Sequence, residues 1–267
     1  MGVDTQVVHL LCESRKREVS FSSTIMVGRQ NFSSDLRASD LLALGITKEE
    51  ASALLAQMYI EPLLSRLGAK RIESIDNSAY EQATIVYDLN EPIPEYLKSS
   101  FSCVFDGGST EHIFNFPQAI KNCMEMVAVG GHLVGVAGAN NFTGHGFYQF
   151  SPELYYRIFS PENGYVVEDM FLCETQRGAP CHRAEDPAVL GRRVEMTNSK
   201  PTYIMVIARR VSDSPIFKTT PQQSDYVCAW GLGNEPELVP PLSREPGDSS
   251  VAAKFLPKWI KKMARRI

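Results

Sequence analysis

Two histidines and a glutamate stand in polar loops that the sequence sets side by side. His112 closes Ser109-Thr110-Glu111-His112, just after the apolar run Cys103-Val104-Phe105 and the turn Asp106-Gly107-Gly108. His145 lies in Asn140-Asn141-Phe142-Thr143-Gly144-His145-Gly146, just after the stretch His132 to Ala137. An imidazole near its ordinary pKa is suited to general-base work at neutral pH. Plainer readings stand beside that one. Glu111 suits the positive end of the helix that follows. His145, between two glycines, suits a turn bonded to backbone. Asp106-Gly107-Gly108 alone is a turn, and Asp76 and Asp88 suit caps of the turns after their strands.

The elements that position these residues alternate. Short apolar runs bounded by turn residues read as strands buried on both faces of a parallel sheet. They fall at Thr24–Val27, Lys70–Ile75, Ala83–Tyr87, Cys103–Phe105, His132–Ala137, Tyr165–Cys173 and Tyr203–Ala208. Helical periods fill Asp35–Leu44 and Lys48–Leu67, with a kink or break expected at Pro62 and an end at Gly68. A further helix carries Phe116, Ala119, Ile120, Cys123 and Val127 on one face, with Asn115 as its cap and Gly130-Gly131 as its end. Ser151-Pro152-Glu153 opens a helix to about Phe159. Val7–Cys12 reads as part of a helical cover over residues 1–20. Alternation implies a Rossmann-like, doubly wound α/β sheet of seven strands, mostly parallel, with helices on both faces. The last two strands lack a crossover helix and read as an antiparallel hairpin at one edge, so the last strand is antiparallel. Loops at the carboxyl ends of neighbouring parallel strands are where such sheets build ligand sites.

A net charge of −4 gives no reason to expect nucleic acid. The six cysteines are scattered without a CxxC pair and read as reduced thiols of a cytoplasmic protein. Cys173, Cys181 and His182 have no metal-like spacing, and no metal site is expected. The N-terminus does not read as a signal peptide and no stretch is long enough to span a membrane. A domain over 1–211 is expected, then a linker-like tail over 212–250, then a basic amphipathic helix over 251–267. The last fourteen residues hold six Lys or Arg and no acid. That pattern fits contact with an anionic membrane surface or a protein partner.

Seven strands with an antiparallel last one, and acids ending the second and third, resemble the class I S-adenosylmethionine-dependent methyltransferase fold over roughly 24–211. The most specific stretch is Asp106-Gly107-Gly108-Ser109-Thr110-Glu111-His112-Ile113 through Val129-Gly130-Gly131-His132. The run from Asn140 through Gly144-His145-Gly146 to Glu153 resembles a group of methyltransferase-like proteins without an assigned substrate. The resemblance implies S-adenosyl-L-methionine as cofactor and a small-molecule or sugar-containing methyl acceptor. It places Asp76 at the ribose hydroxyls and Asp88, with Leu89, at the adenine. Asp106, Gly107 and Gly108 fall where the methionine end passes, and Glu111 and His112 nearest the sulfonium. His112 and His145 are then the two candidate bases. The first loop departs from the family pattern, offering one glycine, Gly28, and no acid. Either Gly28 suffices, with Arg29 pairing the cofactor's carboxylate. Or the pocket is partly filled, and the chain is a catalytically inactive methyltransferase-like subunit acting as a binding or scaffold partner.

Overall fold

The computed structural model describes residues 2–230. The expected basic helix at 251–267, and the tail beyond residue 230, lie outside the described residues. The chain divides into two compact units after Pro221. The second contributes one described helix, α8 (Ser224–Trp230).

The first unit holds strands β1 (Ser23–Val27), β2 (Arg71–Asp76), β3 (Ile85–Val86), β4 (Phe101–Gly107), β5 (Val127–Asn140), β6 (Tyr165–Glu174), β7 (Cys181–Arg183) and β8 (Thr202–Arg210). Its helices are α1 (Thr5–Lys16), α2 (Ala38–Leu41), α3 (Lys48–Leu55), α4 (Glu61–Arg66), α5 (Phe116–Met126), α6 (Pro152–Ile158) and α7 (Pro187–Leu190). The sheet order is β3-β2-β1-β4-β5-β8-β6-β7. β3, β2, β1, β4 and β5 run parallel, and β8 is antiparallel to both β5 and β6. This is the expected doubly wound α/β fold with an antiparallel last strand. The sheet has eight strands rather than seven, because the polar insertion after β6 contributes β7 at the edge. The antiparallel pair is not at the edge as a hairpin: β8 is inserted between β5 and β6.

Strand periodicity splits the core in two. On one face Ile25, Val27, Val104, Leu133, Ile204 and Val206 pack with Ala119, Ile120 and Cys123 of α5 and Tyr155 of α6. On the other, Met26, Cys103, Phe105, Val134, Met205 and Ile207 pack with Val7, Leu10 and Leu11 of α1 and with Leu63 and Leu64 of α4. Successive residues of a strand point to opposite faces, so an unbroken apolar run is what a doubly covered sheet requires. Among the described residues no helix is long and apolar enough to cross a membrane.

Several local expectations change. Residues 35–44 hold only the short α2 and a 3₁₀ turn over Leu42–Leu44. The helix expected over Lys48–Leu67 breaks into α3 and α4, with Pro62 in the first turn of α4. Residues 58–60 leave the helix to pair with the first loop: Phe32 N donates to Met58 O at 3.2 Å and Ile60 N to Gln30 O at 3.1 Å. α5 ends at Met126, not at Gly130-Gly131. Val127 pairs with Phe101 and His132 with Cys103, so the two glycines fill a bulge inside β5. A Cβ on Gly131 would lie 2.7 Å from Ser102 O, which explains its residue type. Asn115 makes no side-chain cap; instead it clasps Asn90, its backbone N–H donating to Asn90 Oδ1 at 2.9 Å and its side-chain amide to Asn90 O at 3.1 Å. Cys173 and Cys181, directly opposite each other on β6 and β7, form a disulfide. Two of the six thiols read as reduced are therefore paired, a proximity that only strand register reveals. Cys12, Cys103, Cys123 and Cys228 are free.

Candidate functional site

A cavity of about 610 Å³ opens at the carboxyl ends of β1, β2 and β4 and at the loop after β3. Its wall includes Gly28, Arg29, Asp76, Asp88, Leu89, Gly108, Ser109, His112 and Ile113. Ligand pockets commonly fall in this size range, and the end of β1, flanked by β2 and β4, is the switch point of the sheet.

Asp76 and Asp88 each cap their own turn with one oxygen. Asp76 Oδ1 accepts from Ser78 N at 2.9 Å. Asp88 Oδ1 accepts from the backbone and side-chain nitrogens of Asn90 at 2.9 and 2.7 Å, which holds its carboxyl below the ordinary range. The turn-cap reading is therefore satisfied, and these bonds use only Oδ1 of each carboxylate. Leu89 is buried and supports the wall between them. Beneath this loop sits a residue with no motif to announce it. Asn122 of α5, fully buried, donates to Leu89 O and Glu91 O at 3.0 and 2.8 Å. It also accepts from Ile93 N at 3.2 Å.

The first loop is closed by its own side chains. Gln30 is 3% exposed; its amide donates to Val27 O at 2.8 Å and to Ser109 Oγ at 3.2 Å. Ser109 Oγ donates in turn to Val27 O at 2.7 Å. A Cβ on Gly107 would collide with the Gln30 side chain, so Gln30 lies on the Gly107 backbone. Gly107 and Asp106 consequently do not reach the cavity wall, which begins at Gly108. Gly28 has φ +68, and a Cβ there would press on Ser109 Oγ at 2.7 Å. Arg29 is not simply available to a carboxylate. Its Nε pairs with Glu61 at 2.6 Å, its Nη1 donates to Glu81 O at 3.1 Å, and its guanidinium lies 3.7 Å over the Tyr59 ring. Nη2 carries none of these bonds.

Asp106 works from behind the wall. It accepts from Gly108 N at 3.2 Å, Ser109 N at 2.8 Å and the Thr110 hydroxyl at 2.6 Å. These bonds set the 3₁₀ turn Thr110–His112 that carries Glu111 and His112. Glu111 is fully buried, and neither carboxylate oxygen has a hydrogen-bond partner. Burial first, then the nearby Asp106 charge, push its pKa up to about 8. Burial raises Asp106 as well, opposed by the donors from Thr110, Ser109 and Gly108.

The two loops meet at Glu111. Its carbonyl accepts from Phe147 N at 2.8 Å and Tyr148 N at 3.3 Å. Gly146, at φ +68, lets the second loop come this close, since a Cβ there would lie 2.9 Å from Glu111 O. His145 Nε2 then stands 3.7 Å from Glu111 Oε1, and the His112 and His145 rings meet edge to face at 4.7 Å. Burial lowers the pKa of both imidazoles. The structure thus brings Glu111, His112 and His145 together, with His112 on the cavity wall.

The second loop is less open to a ligand than its polarity suggests. Asn140 and Asn141 donate to Asn198 Oδ1 at 2.8 and 3.0 Å, and Asn141 to Lys200 O at 2.8 Å. Gln149 Oε1 accepts from Phe142 N at 2.8 Å. The two asparagines fasten the insertion after β6, and Gln149 closes its own loop. Of the aromatics that follow His145, Phe150 is buried but Phe147 is 65% exposed, edge to face with Phe114 at 5.8 Å. Phe114, itself exposed, carried no signal in the sequence beyond lying two residues after His112.

No protein-family model matches the chain, and no curated protein sequence matches it. Among solved structures, the chain is similar to the N-methyltransferase NodS from Bradyrhizobium japonicum bound to S-adenosyl-L-homocysteine. Identity there is 16%, TM-score 0.41, with 76% of this chain and 85% of that one covered. It is also similar to a geranyl diphosphate methyltransferase bound to its cofactor, at 12% identity and TM-score 0.42, with 78% and 85% covered. A third is the branched-chain polyamine synthase from Thermus thermophilus bound to N4-aminopropylspermidine and 5'-methylthioadenosine. Identity there is 13% and TM-score 0.40, over 82% of this chain and 59% of that one. Likenesses this distant say nothing of the ligand or reaction of this chain.

Proposed function

We propose that the cavity binds S-adenosyl-L-methionine and that the protein transfers its methyl group to a small-molecule or sugar-containing acceptor. The observation that carries this reading is the pair of carboxylates on the cavity wall, Asp76 after β2 and Asp88 after β3, each with one oxygen unspent. Asp76 would accept from ribose hydroxyls and Asp88 from the adenine amine, with Leu89 and Ile113 against the ring. The nucleoside half therefore fits the residues present. For the amino-acid half, Arg29 Nη2 suits a carboxylate, and the orphaned, buried Oε1 of Gln30 suits an ammonium. Bound S-adenosylmethionine supplies an already activated methyl group, so alignment is the main task left to the protein. His112 lines the wall near Ser109 and meets His145, itself beside Glu111, and this cluster acts on the acceptor. The exposed pair Phe114 and Phe147 gives the acceptor an apolar wall beside them.

A second reading has its own observation. Gln30 lies on Gly107, where the methionine end was expected to pass, and a filled pocket suits a non-catalytic subunit. Calorimetry with S-adenosylmethionine and S-adenosylhomocysteine separates the two. The first reading expects saturable binding by the native chain and weaker binding by Asp76→Ala. Absence of binding at millimolar ligand sinks it, and a gain of binding in Gln30→Gly would then support the filled-pocket reading.

A further inference from the structure

The three groups at the acceptor end have a property that proton transfer alone does not explain. Glu111 is fully buried, yet both its oxygens lack a partner, as does the buried Nε2 of His145. Among the described residues nothing hydrogen-bonds either oxygen of this carboxyl. A buried carboxyl without a donor is costly, and such groups are normally paired or bound to a metal. Among the described residues, the one basic group within ion-pair distance of Glu111 is His145, at 3.7 Å. One donor atom from each of Glu111, His112 and His145 lies within 4.8 Å of the others.

We propose that Glu111, His112 and His145 bind one divalent first-row transition cation. The donor set is two imidazoles and one carboxylate, the composition of open zinc sites and of mononuclear iron(II) sites. Donors at about 2.0–2.2 Å from a shared ion stand roughly 3–4 Å apart. The pair at 3.7 Å already has that spacing. The remaining separations are within 4.8 Å, and the His145 side chain is 33% exposed and flanked by Gly144 and Gly146. The backbone that carries Glu111 is held, because Asp106 fixes the turn and Phe147 N and Tyr148 N bond the Glu111 carbonyl. Three protein donors would leave a coordination position open, and one of the three, His112, lines the cavity. If the methyl-transfer reading holds, on which this role alone rests, the open position takes the acceptor oxygen. The cation would then lower the pKa of that oxygen, and the imidazoles would serve as ligands.

The test uses the full chain stripped with a chelator and titrated with Zn2+, and separately with Co2+, without any nucleoside present. One equivalent should bind, and Glu111→Gln and His145→Ala should each weaken binding at least tenfold, since even outer-shell losses reach that size. Thermal unfolding of both variants checks that they fold. Should they not, X-ray absorption at the zinc edge of the native chain decides, with two imidazoles and one oxygen donor expected. No saturable binding at millimolar cation, unchanged affinity in folded variants, or a zinc shell without imidazole overturns the proposal. Because the titration omits the cofactor, cation binding without S-adenosylmethionine binding would sink only the methyl-transfer reading, and the reverse only the cation site.

Discussion

At the scale of residues, Asp76 and Asp106 look alike in sequence, each an acid ending a strand, and the structure separates them. Asp76 faces the cavity and keeps an oxygen free; replacing it should disturb binding more than stability. A hydrogen bond to a charged group contributes about 1.5–3 kcal/mol, so Asp76→Ala should weaken nucleoside binding by roughly ten- to a hundredfold, while loss of the exposed Ser78 N cap costs about 1 kcal/mol of stability. Competition calorimetry with S-adenosylhomocysteine checks this. Asp106 is 4% exposed and spends itself on Gly108, Ser109 and Thr110. Asp106→Ala should therefore cost about 3 kcal/mol of stability in urea unfolding, by orphaning three donors. A neutral effect would show that the turn holds without it. Sequence placed both acids at strand ends but could not tell them apart, because the difference is made by Gln30. That side chain closes over Gly107, and nothing in the spacing of residues 28–31 announces it.

At the scale of elements, α5 does more than cover the sheet. Its apolar face was legible from the period of Phe116, Ala119, Ile120 and Cys123. Its polar residue Asn122 was not, since a buried asparagine breaks no pattern until its partners are known. Asn122→Ala leaves Leu89 O, Glu91 O and Ile93 N without a partner. The expected loss is about 2–3 kcal/mol of stability together with several-fold weaker nucleoside binding. Loss of stability with unchanged binding would mean that the loop keeps its shape unaided. The edge pair β6–β7 carries the other element-scale prediction. The disulfide closes a loop at a sequence separation of 8. Chain entropy assigns such a loop roughly 2.5 kcal/mol, so reduction by dithiothreitol should lower the unfolding free energy by about that amount. An unchanged midpoint in urea would contradict it.

At the scale of the whole molecule, the doubly wound sheet was readable from the alternation of apolar runs and helical periods, including the antiparallel last strand. What escaped was tertiary. β7 is too short and polar to signal itself, and the bulge at Gly130-Gly131 imitates a helix end. The meeting of Glu111 with His145 depends on Gly146 admitting the second loop against the first. The site was legible as two loops and two acids, and not as one cluster with a closed floor beneath it. The central claim is that the cavity at the ends of β1, β2 and β4 holds the nucleoside of a methyl donor. A crystal structure of the chain with S-adenosylhomocysteine tests it most directly. The account predicts the ribose against Asp76, the adenine between Asp88 and Leu89, and the sulfur directed past Ser109 toward His112. Ligand bound elsewhere, or an empty cavity at saturating concentration, would contradict it.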